Sequence, residues 1–98
     1  MYHRTNAILR RGTGLAVPGA KVRVTLHGTT TLATLYGSNA GGTPLPNPLT
    51  TDADGEYRYY VADGVYDEEV QYGSITEKEV YLQLYDLGSI VSQLTQLI

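Results

Sequence analysis

Cysteine, tryptophan and phenylalanine are absent from this 98-residue chain, and methionine occurs once. Without cysteine there is no disulfide framework and no thiolate metal site, and nothing in the composition points to a redox compartment. Long apolar runs are missing as well: no stretch approaches the roughly 20 apolar residues of a membrane-spanning helix. The segment Met1-Tyr2-His3-Arg4-Thr5-Asn6-Ala7-Ile8-Leu9-Arg10-Arg11 carries charges where a signal peptide needs an apolar centre, so no secretion address is expected. Positive charge is also scarce. Seven Lys and Arg against ten Asp and Glu leave a formal charge of 7 − 10 = −3, which argues against a nucleic-acid-binding surface. A chain this short forms one small domain with a thin core.

What is present in their place is tyrosine. All nine aromatic residues are Tyr, a ring with a polar tip that suits half-buried sheets and contact surfaces better than dry cores. From Asn6 to about Tyr85 the punctuation is β-like, with short Val, Thr, Tyr and Leu runs divided by Gly, Pro, Asn and Asp clusters. A first run, Arg4–Arg11, stops at Gly12-Thr13-Gly14, and Val17-Pro18-Gly19-Ala20 reads as a tight turn. The cleanest alternation follows. In Lys21-Val22-Arg23-Val24-Thr25-Leu26-His27 it places Val22, Val24 and Leu26 on one face and the polar residues on the other.

After Gly28, the run Thr29–Tyr36 predicts another strand. Pro44, Pro46 and Pro48, at every second position, make Thr43–Leu49 an extended surface segment outside any central ladder. Asp52-Ala53-Asp54-Gly55 is a turn, because the Asp side chains cap local amides and Gly takes the left-handed conformation. Strands are expected over Glu56–Val61, Val65–Gln71 and Thr76–Tyr85, the last with Val80, Leu82 and Leu84 alternating. About seven short segments with turns every 8–12 residues or so is the pattern of an all-β sandwich.

The tail changes period. Leu87, Val91, Leu94 and Ile98 follow a 4-3-4 spacing that makes a helical seam. So short a helix is marginal alone and must pack on the sandwich or on copies of itself. Val and Ile at one heptad position with Leu at the other suit a short coiled coil and favour two strands over three.

Chemistry is thinly represented. His3 and His27 have no second His at ligand spacing, no serine stands in a nucleophile elbow, and no phosphate loop occurs. The acidic turn at Asp52 and Asp54 lacks the third carboxylate and the distant Glu of a calcium loop, so a hairpin turn explains it better. Glu68, Glu69, Glu77 and Glu79 read as a solvated edge that discourages sheet-to-sheet aggregation. In Glu56-Tyr57-Arg58-Tyr59-Tyr60, alternation puts Tyr57 and Tyr59 on one face and Tyr60 on the other beside Arg58. Tyr and Arg are enriched where surfaces meet partners, although many such rings simply fill cores that lack Phe.

Thr29–Tyr36, then Pro46-Asn47-Pro48-Leu49-Thr50-Thr51-Asp52-Ala53-Asp54-Gly55-Glu56-Tyr57 and Ala62-Asp63-Gly64-Val65-Tyr66-Asp67, resemble the small immunoglobulin-like domain of tailed-bacteriophage fibre, tail and baseplate proteins, itself related to the prealbumin-like or carboxypeptidase-regulatory sandwich. The Val17–Ala20 turn is similar too, and the likeness runs from about Ala7 to Val70. It implies a structural or attachment role in a virion, commonly in trimeric fibres, and transfers no catalytic residues.

The expectation is therefore an all-β, immunoglobulin-like or prealbumin-like β-sandwich of about seven short strands over residues 1–85, with a short C-terminal helix over 86–98 for oligomerisation or docking. The expected function is that of a non-enzymatic bacteriophage virion protein: a fibre, tail or collar attachment module without a cofactor, located in virions assembled in the host cytoplasm. Its partners would be copies of itself, joined through Leu87, Val91, Leu94 and Ile98 as the trimer the resemblance implies, and other proteins of tail, collar or capsid. Neither nucleic acid nor membrane is an expected partner. The alternative is a host-surface module that binds carbohydrate or protein through Tyr57, Arg58, Tyr59 and Tyr60.

Overall fold

The structure, a computed structural model, describes residues 1–10 and 12–85. The described chain is all-β, with six strands in two antiparallel sheets and no helix among the described residues. The strands are β1 (Tyr2–Ala7), β2 (Lys21–Leu26), β3 (Leu49–Thr50), β4 (Glu56–Val61), β5 (Gly64–Tyr72) and β6 (Ile75–Leu84). β1 pairs with β4 in a two-stranded sheet, and the second sheet runs β3-β2-β5-β6. The C-terminal seam residues Leu87, Val91, Leu94 and Ile98 lie outside the described residues.

The alternation read in β2 holds at Val22 and Val24, both fully buried, but not at Leu26, which is 42% exposed where the strand turns away at Gly28. β4 alternates throughout: Tyr57, Tyr59 and Val61 face inward. With Ile8, Val17, Ala20, Ala33, Leu35, Leu49, Tyr66, Val70 and Leu84 these residues form one core cluster. Burying each large member is worth roughly 1.5–3 kcal/mol.

Thr29–Tyr36 is not a strand. Its alternation is real, since Ala33 and Leu35 are buried and Leu32 is exposed, but its hydrogen bonds are divided between the sheets. Leu26 N–H donates to Thr31 O and Ala33 N–H to Val24 O, on the larger sheet, whereas Tyr36 exchanges both bonds with Tyr60 of β4. A segment that crosses from one sheet to the other completes a ladder with neither. Asn47, between two of the prolines, supplies a missing rung: its Nδ2 donates to Val24 O and Ala33 O at 2.8 and 2.9 Å, and its Oδ1 accepts from Val24 N–H.

The acidic turn is a closed local structure. Asp52 Oδ1 accepts from the amides of Asp54 and Glu56, and Gly55 N–H donates to Asp52 O. Gly55 has a φ of 73°, and an added Cβ would lie 2.7 Å from Ile8 O and 2.9 Å from Val17 N, so glycine is required there twice over.

β6 alternates less cleanly than its sequence suggests. Pairing with β5 runs Tyr66↔Leu82 and then Glu68↔Glu79, which leaves Val80 and Tyr81 together opposite Asp67. This β-bulge breaks the period-2 pattern. Val80 is thereby exposed, Leu82 is half-buried, and Leu84 returns to the core.

Candidate functional site

The Tyr-rich strand β4 divides as alternation requires. Arg58 is exposed and Tyr60 half-buried on the outer face, whereas Tyr57 and Tyr59 are 5% and 1% exposed. The four residues therefore do not make one exposed patch. The reason lies across the core, at Glu68 of β5.

Glu68 is 2% exposed, and four donors converge on its carboxylate. Arg4 Nε donates to Oε2 at 2.5 Å and Arg4 Nη2 to Oε1 at 3.1 Å. The Tyr57 hydroxyl donates to Oε1 at 2.6 Å, and the Tyr59 hydroxyl donates to Oε2. Asn6 Nδ2 supports Tyr57 at 3.2 Å, and Arg4 Nη2 also reaches Glu79 of β6 at 3.4 Å. Arg4, Asn6, Tyr57 and Tyr59 belong to the smaller sheet, and Glu68 and Glu79 to the larger, so the cluster staples the two together.

Burial pushes the Tyr57 and Tyr59 hydroxyls above their ordinary pKa, and the Glu68 carboxylate pushes further in the same direction. Both rings stay protonated and remain donors. Burial works against the Arg4 charge, but the hydrogen bond and field of Glu68 prevail and raise its pKa. Each carboxylate oxygen accepts two bonds, so Glu68 has nothing left to offer as a general base.

A cavity of about 560 Å³ opens between β1 and β6 above this cluster, with Asn6, Ile8, Glu68, Thr76, Lys78 and Glu79 in its walls. Glu68 and Glu69 do not stand on a solvated edge, because β5 is central, flanked by β2 and β6. The edge role falls to Glu79 and Lys78 on β6 instead, where exposed charge discourages pairing with other chains.

On the opposite face of β5, Asp67 forms a second closed cluster. Its Oδ1 bonds His27 Nδ1 at 2.8 Å and accepts the Tyr81 amide at 3.0 Å, and its Oδ2 accepts the Gly28 amide at 3.0 Å. Tyr81, at φ 60°, is the bulge residue, and its ring meets His27 edge-on. The hydrogen bond from His27, followed by that from Gly28, holds the Asp67 carboxyl down at about 2. Asp67 thus ties the β2 turn to the bulge of β6.

Outward from β1 and β4 lies a different surface. His3 stacks on its cross-strand partner Tyr60, with ring centroids 4.4 Å apart and planes 15° from parallel, and Thr5 pairs with Arg58. Sequence reasoning found Tyr60 and Arg58 here but missed His3, whose alignment with Tyr60 depends on the β1–β4 register. Among the described residues no group of three or more His, Asp or Glu is placed to hold a metal ion. Comparison with protein-family models, curated proteins and solved structures finds no match for this chain.

Proposed function

We propose that the chain is a non-enzymatic structural and attachment module of a tailed-bacteriophage virion, an immunoglobulin-like β-sandwich of the fibre, tail or collar. The resemblance across Ala7–Val70 motivates the virion assignment. The observation that favours a scaffold over an enzyme is the engagement of the buried carboxylates in holding the fold: Glu68 accepts four bonds, all from the strands of the smaller sheet, and Asp67 three, from the turn after β2 and from β6. In this reading copies associate through Leu87, Val91, Leu94 and Ile98, dock on other proteins of tail, collar or capsid, and need no cofactor, nucleic acid or membrane.

Sedimentation of the full chain at micromolar concentration tests the association. The expected result is a dimer or trimer that Val91→Asp with Leu94→Asp converts to a monomer; a monomer in both cases removes the oligomer from the proposal. An antibody against the chain should label the tail or collar of purified particles, and unlabelled particles would overturn the virion assignment.

A second reading, attachment to a host surface, is favoured by the stacked His3–Tyr60 pair beside Arg58. Its contact residues are Arg58, Tyr60 and His3, with Tyr57 and Tyr59 removed by burial. Tyr60→Ala should then weaken binding to host cells, and undiminished binding would exclude this face.

A further inference from the structure

β1 is an edge strand whose outer backbone groups are open. Tyr60, its neighbour on β4, exchanges its own N–H and C=O bonds with Tyr36, so His3↔Tyr60 is a non-hydrogen-bonded pair and His3 directs its backbone groups away from β4. Alternation does the same for Thr5 and Ala7. All three residues are exposed, and among the described residues no backbone hydrogen bond reaches them from outside the β1–β4 pair. Natural sheet edges are blunted by Lys, Pro or a bulge. β6, the edge of the larger sheet on the same side, has both Lys78 and the bulge at Val80 and Tyr81. β1 has no such device, and its one charge, Arg4, is held inward by Glu68.

We propose that β1 accepts an extended, cation-bearing segment of a partner protein as a third strand of the smaller sheet. The proposal is independent of the virion reading, since it rests on the edge of β1 and the charge beside it. Glu68 of β5 takes bonds from both β1 and β4, so β5 lies beneath the smaller sheet, and β6 extends past β1, as the contact of Arg4 with Glu79 shows. The cavity of about 560 Å³ between β1 and β6 therefore lies under the position of an added strand. A single strand fits there. The β1 of a second copy does not, because its own β6 would enter the same space. Side chains of the added strand that stand beside Arg4, Asn6 and Ile8 point into the cavity, where Ile8 and Val70 form an apolar wall. Glu77 and Glu79 share this inward face with their cross-strand partners Val70 and Glu68. The carboxylates of Glu68, Glu77 and Glu79 against the cations of Arg4 and Lys78 leave a net charge of −1, which favours Lys or Arg in the incoming segment. Backbone bonds supply the affinity and the inward positions the selectivity, as in other strand additions.

Amide-resolved NMR of the full chain tests the assignment with the peptide acetyl-Thr-Val-Thr-Lys-Thr-Val-Thr-amide, whose lysine and two valines would take the inward positions. The peptide should shift the His3, Thr5 and Ala7 amides and slow their hydrogen exchange, with a millimolar-range dissociation constant, as befits a short segment that is ordered on binding. Methylating the amide nitrogens of the two threonines beside the lysine should abolish binding, and exchanging the lysine for glutamate should weaken it about two- to fivefold. Thr5→Pro removes an outward N–H, at a position where an edge strand tolerates proline, and should abolish binding while the spectrum stays dispersed. Equal binding of the methylated peptide overturns the strand pairing, even where Thr5→Pro fails to fold. Equal binding of the glutamate peptide overturns the charge assignment, and no shift along β1 removes the site. Slow exchange of the three amides without peptide also overturns it: protection that grows with protein concentration assigns the edge to a second copy, and protection at every concentration assigns it to the chain itself.

Discussion

Thr51 shows how much a single polar side chain contributes when it is buried. It is 4% exposed; its hydroxyl accepts from Ala20 N–H at 2.9 Å and donates to Val17 O at 2.7 Å. Its backbone adds bonds to Ala20 and Gly19, so one residue of the strand edge beyond β3 makes four of the bonds that hold the Val17–Ala20 turn, which Val17 N–H also ties to Ile8 O. Thr51→Val keeps the shape and β propensity but strands a buried amide and a buried carbonyl. The expected loss is about 2–4 kcal/mol, from two unsatisfied groups at roughly 1–3 kcal/mol each moderated by relaxation. Urea unfolding followed by circular dichroism measures it, and a change below about 0.5 kcal/mol, the level of an ordinary surface substitution, would show that the turn is held elsewhere. The Pro-Gly and Asp-Gly turn chemistry is legible in sequence because it is local. The residue that anchors the first turn lies 31 positions from Ala20, and no local rule reaches it.

The strands themselves were read well where one side chain in two is apolar and both ladders belong to one sheet. β4 was located to the residue, Glu56–Val61, and β2 to within one residue at its end. Thr29–Tyr36 failed because periodicity records which side chains face inward and says nothing about which sheet receives the hydrogen bonds. β5 was placed correctly but its glutamates were misread: Glu68-Glu69 looks like an edge until Arg4, from the other end of the chain, is known to bond Glu68. Asp67 makes the point testable. Its carboxyl titrates near 2 in the folded chain against an ordinary 3.8, lowered first by the His27 hydrogen bond and then by the Gly28 amide. A depressed carboxyl stabilises fully above its unfolded value and loses that stabilisation as pH falls from about 4 through about 2. The urea midpoint of the native chain should therefore exceed that of Asp67→Asn at pH 7, with the gap narrowing between pH 4 and 2. A gap that is constant across that range would mean that the ionised carboxylate does not secure the bulge.

For the molecule as a whole, two sheets of unequal size depend on one polar staple set within an apolar core, and this arrangement makes stability sensitive to alkali. Tyr57 and Tyr59 have pKa values raised above the ordinary 10, first by burial and then by Glu68. A group whose folded pKa is raised contributes fully below the unfolded value, and its contribution is lost as pH climbs above it. The folded chain thus keeps both protons above pH 10 while the unfolded chain releases them, and rising pH drives unfolding. Ultraviolet absorbance of tyrosinate should show exposed rings ionising smoothly and the buried Tyr57, Tyr59 and Tyr66, the last also raised by burial, appearing only in a later cooperative step, together with loss of the β-sheet circular dichroism signal. Tyr57→Phe and Tyr59→Phe should each shrink that step by one ring. Glu68→Gln leaves the half-buried Arg4 with only its longer 3.4 Å contact to the exposed Glu79, which costs at most about 3–5 kcal/mol, and should move the cooperative step to lower pH. If all nine tyrosines ionised in one gradual curve with the sheet signal intact, the two hydroxyls would be open to solvent and the staple would not be what joins the sheets.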